Sequence, residues 1–498
     1  MQLIRIPKSV IECKNYVDGQ WKGSALGAAQ TLAVKSPYTG QVIGQVQQSQ
    51  KSEVNEAVEA AAKAGLAWAD SPIKERTQVM FKFREILLRE LDTISHTISA
   101  ESGKLLAESR AGLLKGVEVL EFAISLQNLD AGGKMQVSRG VFCEYRREAL
   151  GVVVGITPFN FPAMVPMWMI PIALTLGNSF VWKPSDKTPL TSLLIAQALV
   201  EAGLPKGVLT IVQGGKAAVD ALCDHPLVQA VAFVGSTPVA KSVYARATSN
   251  GKRALCLGGA KNHIILMPDA DPSLVTEGVV ASFTGCAGQR CMAASALVAV
   301  GEGSEIEPLI AGIVKRAESL VLGKDMGAII SEASLKKIHA AIEQAEAQGA
   351  RILLDGRKAK APEGYESGYW IGPTILDQVD PQSPAAKEEL FGPVLSIVRA
   401  KNLSQAIEIE NQSPYGNAAS VFTQQGSVAE EVARRSRAGM IGVNIGVPVP
   451  REPFSFGGLY ESKFGHGDIT GPSSLDFWSA LKKVTTKWAL QKDNNWMS

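Results

Sequence analysis

Two thiols stand close together in the run Phe283-Thr284-Gly285-Cys286-Ala287-Gly288-Gln289-Arg290-Cys291. Upstream, Asp271-Pro272 has the chemistry of a helix start, an acidic N-cap followed by proline in the first turn. Gly285 and Gly288 break that helix and leave Cys291 in a glycine-rich turn ahead of the apolar run Ala296-Leu297-Val298-Ala299-Val300. A turn of this kind keeps backbone N–H groups free, and Arg290 adds a neighbouring cation. A thiol so placed can be held as thiolate, the form that attacks a carbonyl carbon. By physics alone, a buried structural cysteine accounts for the same residues.

Other uses of the thiols are disfavoured. The six cysteines (Cys13, Cys143, Cys223, Cys256, Cys286 and Cys291) are scattered, with no C-x-x-C pair and no histidine at ligand spacing. That argues against a zinc centre, so no metal is expected. A chain of 498 residues builds a core without disulfide staples, and a reducing, cytoplasmic setting suits free thiols. A formal charge of +2 gives no electrostatic case for nucleic acid or an anionic membrane as partner. Met1 to Gln20 lacks the apolar run of a signal peptide. The most apolar segment, Phe159 to Leu176, is interrupted by prolines and reads as buried loop and helix, not as a membrane span.

Gly288-Gln289-Arg290-Cys291 resembles the active-site motif of the aldehyde dehydrogenase superfamily. Further landmarks follow in that family's order: Thr157-Pro158-Phe159-Asn160-Phe161-Pro162, Trp182-Lys183-Pro184-Ser185, Phe233-Val234-Gly235-Ser236-Thr237, Leu257-Gly258-Gly259 and Glu389-Leu390-Phe391-Gly392-Pro393. With Gly19 near the start and Asn444 near the end, the likeness covers nearly the whole chain. The resemblance implies an NAD-dependent enzyme in which Cys291 is the nucleophile. Asn160 and the backbone N–H of Cys291 then form the oxyanion hole, with each donor worth ~3 kcal/mol at the transition state. It further implies a cofactor cleft made by Thr157, Phe159, Lys183, Asp186, Lys187, Gly235, Ser236, Glu389 and Phe391. In that cleft Lys183 and Glu389 meet ribose hydroxyls, and the helix after Gly235-Ser236 offers its N-terminus to the pyrophosphate. Asp186 stands where the family commonly has the longer glutamate, and it disfavours the added phosphate of NADP.

One departure bears on the reaction. Hydrolytic members carry a glutamate just before Leu-Gly-Gly, as the base that activates water; this chain has Cys256 there. A thiol is a poor substitute for that carboxylate at neutral pH, and the residue reads as packing. The methylmalonate-semialdehyde dehydrogenase branch also lacks that glutamate and passes its acyl group to coenzyme A. Ala260-Lys261-Asn262-His263, Met267-Pro268-Asp269-Ala270 and Gln289-Arg290-Cys291-Met292-Ala293 are similar to that branch. The likeness implies that Arg290 binds the substrate carboxylate as a bidentate fork. A second arginine expected on an earlier helix is replaced by Lys115, with Arg110 one and a half turns away. The reading is NAD-dependent oxidation of malonate or methylmalonate semialdehyde, with decarboxylation and transfer to coenzyme A. Two alternatives stay open: a hydrolytic NAD(P)-dependent enzyme for another small semialdehyde, and a non-catalytic binding protein on the same scaffold.

The elements that must position these groups follow from hydrophobic patterning. A helical stretch runs from about Glu53, behind Ser52 as N-cap, to about Asn128, with a new start at Ser71-Pro72. Val79, Phe83, Ile86, Leu87 and Leu91 share one face of it. From Gly151 to Ile156 the chain is continuously apolar, as a parallel strand covered on both faces should be. Ser179–Lys183, Val208–Val212 and Ala230–Val234 repeat the pattern, and a second series begins at His263. Such alternation predicts an α/β fold with two Rossmann-like, doubly wound units. The expected division is a cofactor-binding unit over 1–133 and 151–256 and a catalytic unit over 257–475. A charged β ribbon over 134–150 is expected to pair with the tail (476–498) of another subunit, giving a homodimer or homotetramer.

Overall fold

Val152–Ile156 and Ser179–Lys183 are buried at every residue, and they form the centre of the first of two large sheets. The computed structural model describes residues 4–23, 31–129, 132–301 and 303–488. In the first sheet the strands run Arg253–Leu257, Val228–Val234, Val152–Ile156, Ser179–Lys183 and Leu209–Ile211, all parallel. Antiparallel strands extend both edges: Lys463–Phe464 beside Arg253–Leu257, and the hairpin Asn15–Val17 with Gln20–Lys22 beside Leu209–Ile211. Chain order reverses between Val152–Ile156 and Val228–Val234, so a ligand crevice belongs at their C-terminal ends.

The second sheet runs Arg351–Leu354, Thr374–Asp377, Val394–Ala400, Ala294–Val300, Asn262–Leu266, Ala418–Phe422 and Met440–Val443. Only the first of these is antiparallel to its neighbour. Two Rossmann-like parallel units are therefore present, as the alternating pattern predicts. Most strands begin or end within two residues of the expected positions.

The long helical stretch resolves into Lys51–Asp70, Ile73–Arg89, Leu91–Ser102 and Leu106–Leu129. The first begins earlier than expected. Gln50 is the N-cap in place of Ser52, because Glu53 reaches back to the Gln50 N–H in a capping box. On the second, Phe83, Ile86 and Leu87 are buried as predicted, while Val79 is only half-buried. Prolines do not prevent a helix over Met164–Thr175, which is buried on all sides and packs along Leu106–Leu129. Among the described residues no helix is long and apolar enough to cross a membrane.

The ribbon is where the expectation needs correcting. Gly133–Ser138 and Val141–Ala149 form the predicted hairpin, but the chain's own tail, Ser479–Lys487, completes it. Pairing runs from Ser479 opposite Ala149 to Lys487 opposite Val141, antiparallel throughout. The short helix Ser473–Trp478, with Trp478 fully buried, delivers the tail directly to this edge, so no second chain is needed to cover it. The last ten residues of the expected tail, 489–498, lie outside the described residues.

Candidate active site

The helix that precedes the thiols is built as its sequence dictates. Asp271 caps Pro272–Thr284, its carboxylate accepting from the Ser273 and Leu274 N–H groups. The chain then enters a left-handed turn in which Cys286, Ala287 and Gly288 have φ of 54°, 52° and 70°. Two consecutive non-glycine residues at positive φ store strain that the surroundings must hold. Glu108 supplies part of that restraint, accepting the Cys286 N–H at 2.6 Å. Gly288 supplies another part, since a Cβ there would lie 2.2 Å from the Gly392 carbonyl oxygen. The turn thus packs directly against the Phe391-Gly392-Pro393 segment.

Cys291 follows on the wall of a cavity of about 630 Å³. Its carbonyl accepts from Asn262 Nδ2 at 2.7 Å and from Asn417 Nδ2 at 3.0 Å, which fixes the Cys291 backbone from two different strands' ends. Asn160 reaches the same segment, donating to the Gln289 carbonyl at 3.0 Å. An amide nitrogen carries two hydrogens, so one donor of Asn160 is committed to positioning and one is left for an oxyanion. Burial pushes the Cys291 thiol up to about 12, and the Glu389 carboxylate adds to this. The residue's own N–H, Arg290 and Lys104 act in the opposite direction without prevailing.

Arg290 also lines the cavity. Its Nη2 donates to the Ala281 and Ser282 carbonyls at the end of the preceding helix, the second at 3.0 Å. Its Nε is buried and has no acceptor among the described residues. Lys115 is on the cavity wall as well, but its ammonium is committed to Glu118 at 2.6 Å. Arg110 is exposed and absent from that wall. Cys256 is fully buried within Arg253–Leu257, opposite Phe233 and Phe464, where desolvation raises its thiol far above the ordinary value. It packs; it is not a base.

The cofactor candidates gather at the C-terminal ends of the first sheet. Thr157, just past Val152–Ile156, accepts from Trp182 Nε1 at 2.9 Å and donates its N–H to the Lys183 carbonyl at 3.1 Å. Lys183 is buried at its strand end, where desolvation lowers its ammonium pKa against the attraction of Asp186. Phe159 stands edge-on to Phe391 at 5.8 Å, and Lys187 lies 5.0 Å over the Phe159 ring. Gly235 ends Val228–Val234, and Ser236 is the N-cap of Thr237–Ser249 with a hydroxyl that makes no capping bond. The first N–H groups of that helix are thereby left to an anion. Glu389 accepts the Ala260 N–H at 3.1 Å, and a Cβ on Gly259 would lie 2.5 Å from its other oxygen. Burial pushes its carboxyl up to about 7, against the pull of that N–H and of Lys261.

Some contributors were not singled out by the sequence. Asn262 lies in a run that resembles the family, yet only the fold shows its grip on Cys291. Asn417 sits 126 residues beyond Cys291 and carries no local signal. Lys104, buried 3.3 Å above the Phe161 ring, points its ammonium at the Cys286 sulfur at 3.4 Å.

This constellation, a cysteine just past a strained turn and two Rossmann-like sheets, has known counterparts. Residues 25–484 match the aldehyde dehydrogenase family. The chain belongs to that family. It is 40% identical over 482 residues to malonate-semialdehyde dehydrogenase 2 of Geobacillus kaustophilus, covering 95% of this chain and 98% of the relative. The crystal structure of methylmalonate-semialdehyde dehydrogenase from Oceanimonas doudoroffii superimposes with a TM-score of 0.94 at 38% identity, covering 97% of this chain and 99% of that one. An NAD complex from Sinorhizobium meliloti, provisionally assigned to the same class, reaches a TM-score of 0.95 at 38% identity over 98% of this chain and 100% of that one. The family member described here is thus an NAD-dependent oxidoreductase.

Proposed function

We propose that this aldehyde dehydrogenase oxidises malonate or methylmalonate semialdehyde with NAD and transfers the acyl group to coenzyme A. The observation that carries this reading is Arg290. Its guanidinium lies on the wall that bears Cys291, which puts a planar cation, suited to a carboxylate, close to the reacting carbon. The names of the Geobacillus and Oceanimonas relatives support the same substrate class.

Cys291 attacks the aldehyde carbon, and the Asn160 amide with the Cys291 N–H holds the developing oxyanion. NAD supplies the acceptor for the hydride that leaves this carbon. Thr157, Phe159, Lys183, Asp186, Lys187, Gly235, Ser236, Glu389 and Phe391 would hold it, and the uncapped N-terminus of Thr237–Ser249 would favour its pyrophosphate charge. Arg290 keeps the substrate carboxylate in place until carbon dioxide leaves, the thioester carbonyl accepting the electron pair and water then protonating the α-carbon of the resulting enolate. Lys115 contributes charge at longer range, since Glu118 occupies its ammonium. With Cys256 sealed into strand packing, a thiol acceptor that needs no carboxylate base fits better than water.

One observation favours hydrolysis instead: Glu389 has a carboxyl near neutrality and interacts with the Cys291 thiol, so it could activate a water. NADH formation from malonate semialdehyde with and without coenzyme A separates the two. Turnover that stalls after one equivalent without coenzyme A is expected; sustained turnover without it overturns the acylating reading.

We further assign residues 1–133 and 151–256 to a cofactor-binding domain and 257–475 to a catalytic domain. Residues 134–150 and 476–498 form an oligomerisation element of a homodimer or homotetramer. Six unpaired cysteines support a cytoplasmic setting.

A further inference from the structure

The cavity that opens on Cys291 is much larger than malonate semialdehyde requires. At about 630 Å³ it falls within the roughly 300–1,000 Å³ that ordinarily encloses drug-sized ligands. A small semialdehyde held by Arg290 fills its inner end. Beyond that end the wall is apolar: Trp168 stacks on Phe456 at 4.5 Å between centroids, with Met164 and Val449 beside them.

A second cationic station stands on the same wall. Glu118 receives Lys115 at 2.6 Å on one oxygen and Arg451 at 3.7 Å on the other. Two cations share one carboxylate, which leaves a net positive charge. Two further acids stand on or beside this wall, and both are less exposed than Arg451. Glu108 accepts the Leu105 and Cys286 N–H groups at the Cys286 end of the wall, where the Lys104 ammonium lies 3.4 Å from the Cys286 sulfur. Glu452 interacts with Lys115 from a half-buried position, where desolvation raises its carboxyl pKa against the pull of Thr470 and Lys115. The Arg451 side chain is 78% exposed and that of Lys115 20%, so the station sits at the cavity mouth. The wall therefore carries Cys291, an apolar stretch and, at its most exposed point, the Arg451 guanidinium held only loosely by Glu118.

We propose that the site also accepts longer aldehydes with an apolar chain and a terminal carboxylate. Their aldehyde carbon reaches Cys291 while the carboxylate meets Arg451 and Lys115 at the rim, which makes Arg451 a specificity-determining residue. This rests on Cys291 as nucleophile, but neither on Arg290 as the carboxylate ligand nor on coenzyme A as acceptor.

The test measures kcat/KM for adipate semialdehyde, for hexanal as its uncharged counterpart and for malonate semialdehyde. It uses the full-length enzyme and the variants Arg451→Ala and Glu118→Gln. The adipate semialdehyde to hexanal ratio should exceed one in the parent enzyme. It should fall about three- to five-fold in Arg451→Ala, the scale of a solvent-exposed charge pair, and rise about two-fold in Glu118→Gln, where the competing carboxylate is gone. Both changes should shrink at high salt. A ratio that neither variant moves overturns the proposal, as does failure of the parent enzyme to oxidise adipate semialdehyde. Rejection of malonate semialdehyde alone overturns the function proposed above and leaves the rim assignment standing.

Discussion

Cys291 sits under opposed influences, and their balance fixes how the enzyme responds to pH. Enclosure raises the thiol to about 12, above the cysteine value of 9.0, so the reactive thiolate is scarce at neutral pH. The thiolate fraction then grows with each unit of rising pH. Iodoacetamide labelling of Cys291 in the cofactor-free enzyme should accelerate about tenfold per pH unit between pH 7 and 9. Peptide mapping separates it from Cys286, and a plateau below pH 8 would show that Arg290 and Lys104 outweigh desolvation. Arg290 admits a sharper test. Arg290→Lys keeps the charge but loses the planar fork, and should raise KM for malonate semialdehyde about 10- to 100-fold, the worth of a charge-assisted hydrogen bond. An unchanged KM would move the carboxylate site elsewhere. That Cys291, Asn160 and Arg290 come together was foreshadowed in the chain because each lies in a contiguous motif. Asn417 was not, because its hydrogen bond to Cys291 links segments far apart in sequence.

At the scale of elements, the site depends on how closely two turns approach. Gly288 carries the left-handed turn against Gly392, and a methyl group there has no room. Gly288→Ala should cost about 2 kcal/mol or more, read as a lowered denaturation midpoint with a parallel loss of kcat. Gly426→Ala is the control: its Cβ meets nothing within 4 Å and it begins the helix Gly426–Arg435, so stability should hold or rise by a few tenths of a kcal/mol. Equal losses in both variants would show that the turn is not under special constraint. The glycines announced a break in the helix, and the helix start at Asp271 was equally readable, since capping is local chemistry. That Cys286 and Ala287 would share the left-handed conformation was not readable. Neither residue type favours it, and only the packing around Glu108 and Gly392 enforces it.

For the whole molecule, the ribbon sheet raises the question of assembly. Its own tail covers one edge, yet Met135, Val137, Tyr145 and Leu481 remain exposed on it. Light scattering should therefore report a dimer or tetramer, and deletion of residues 479–498 should strip Val141–Ala149 of its partner and lower the oligomeric state. A truncated chain that keeps both its assembly and its melting temperature would refute that role.

The sequence by itself determined the two series of buried strands, the helices between them and the nucleophile's turn. Hydrophobic periodicity, capping and glycine placement act over a few residues and need no distant partner. Tertiary structure alone decided which chain covers the ribbon, that Cys256 is sealed into a strand, and that Glu118 holds both Lys115 and Arg451 at the cavity mouth. Desolvation and charge pairing depend on what the fold brings within a few ångströms, whatever the separation along the chain.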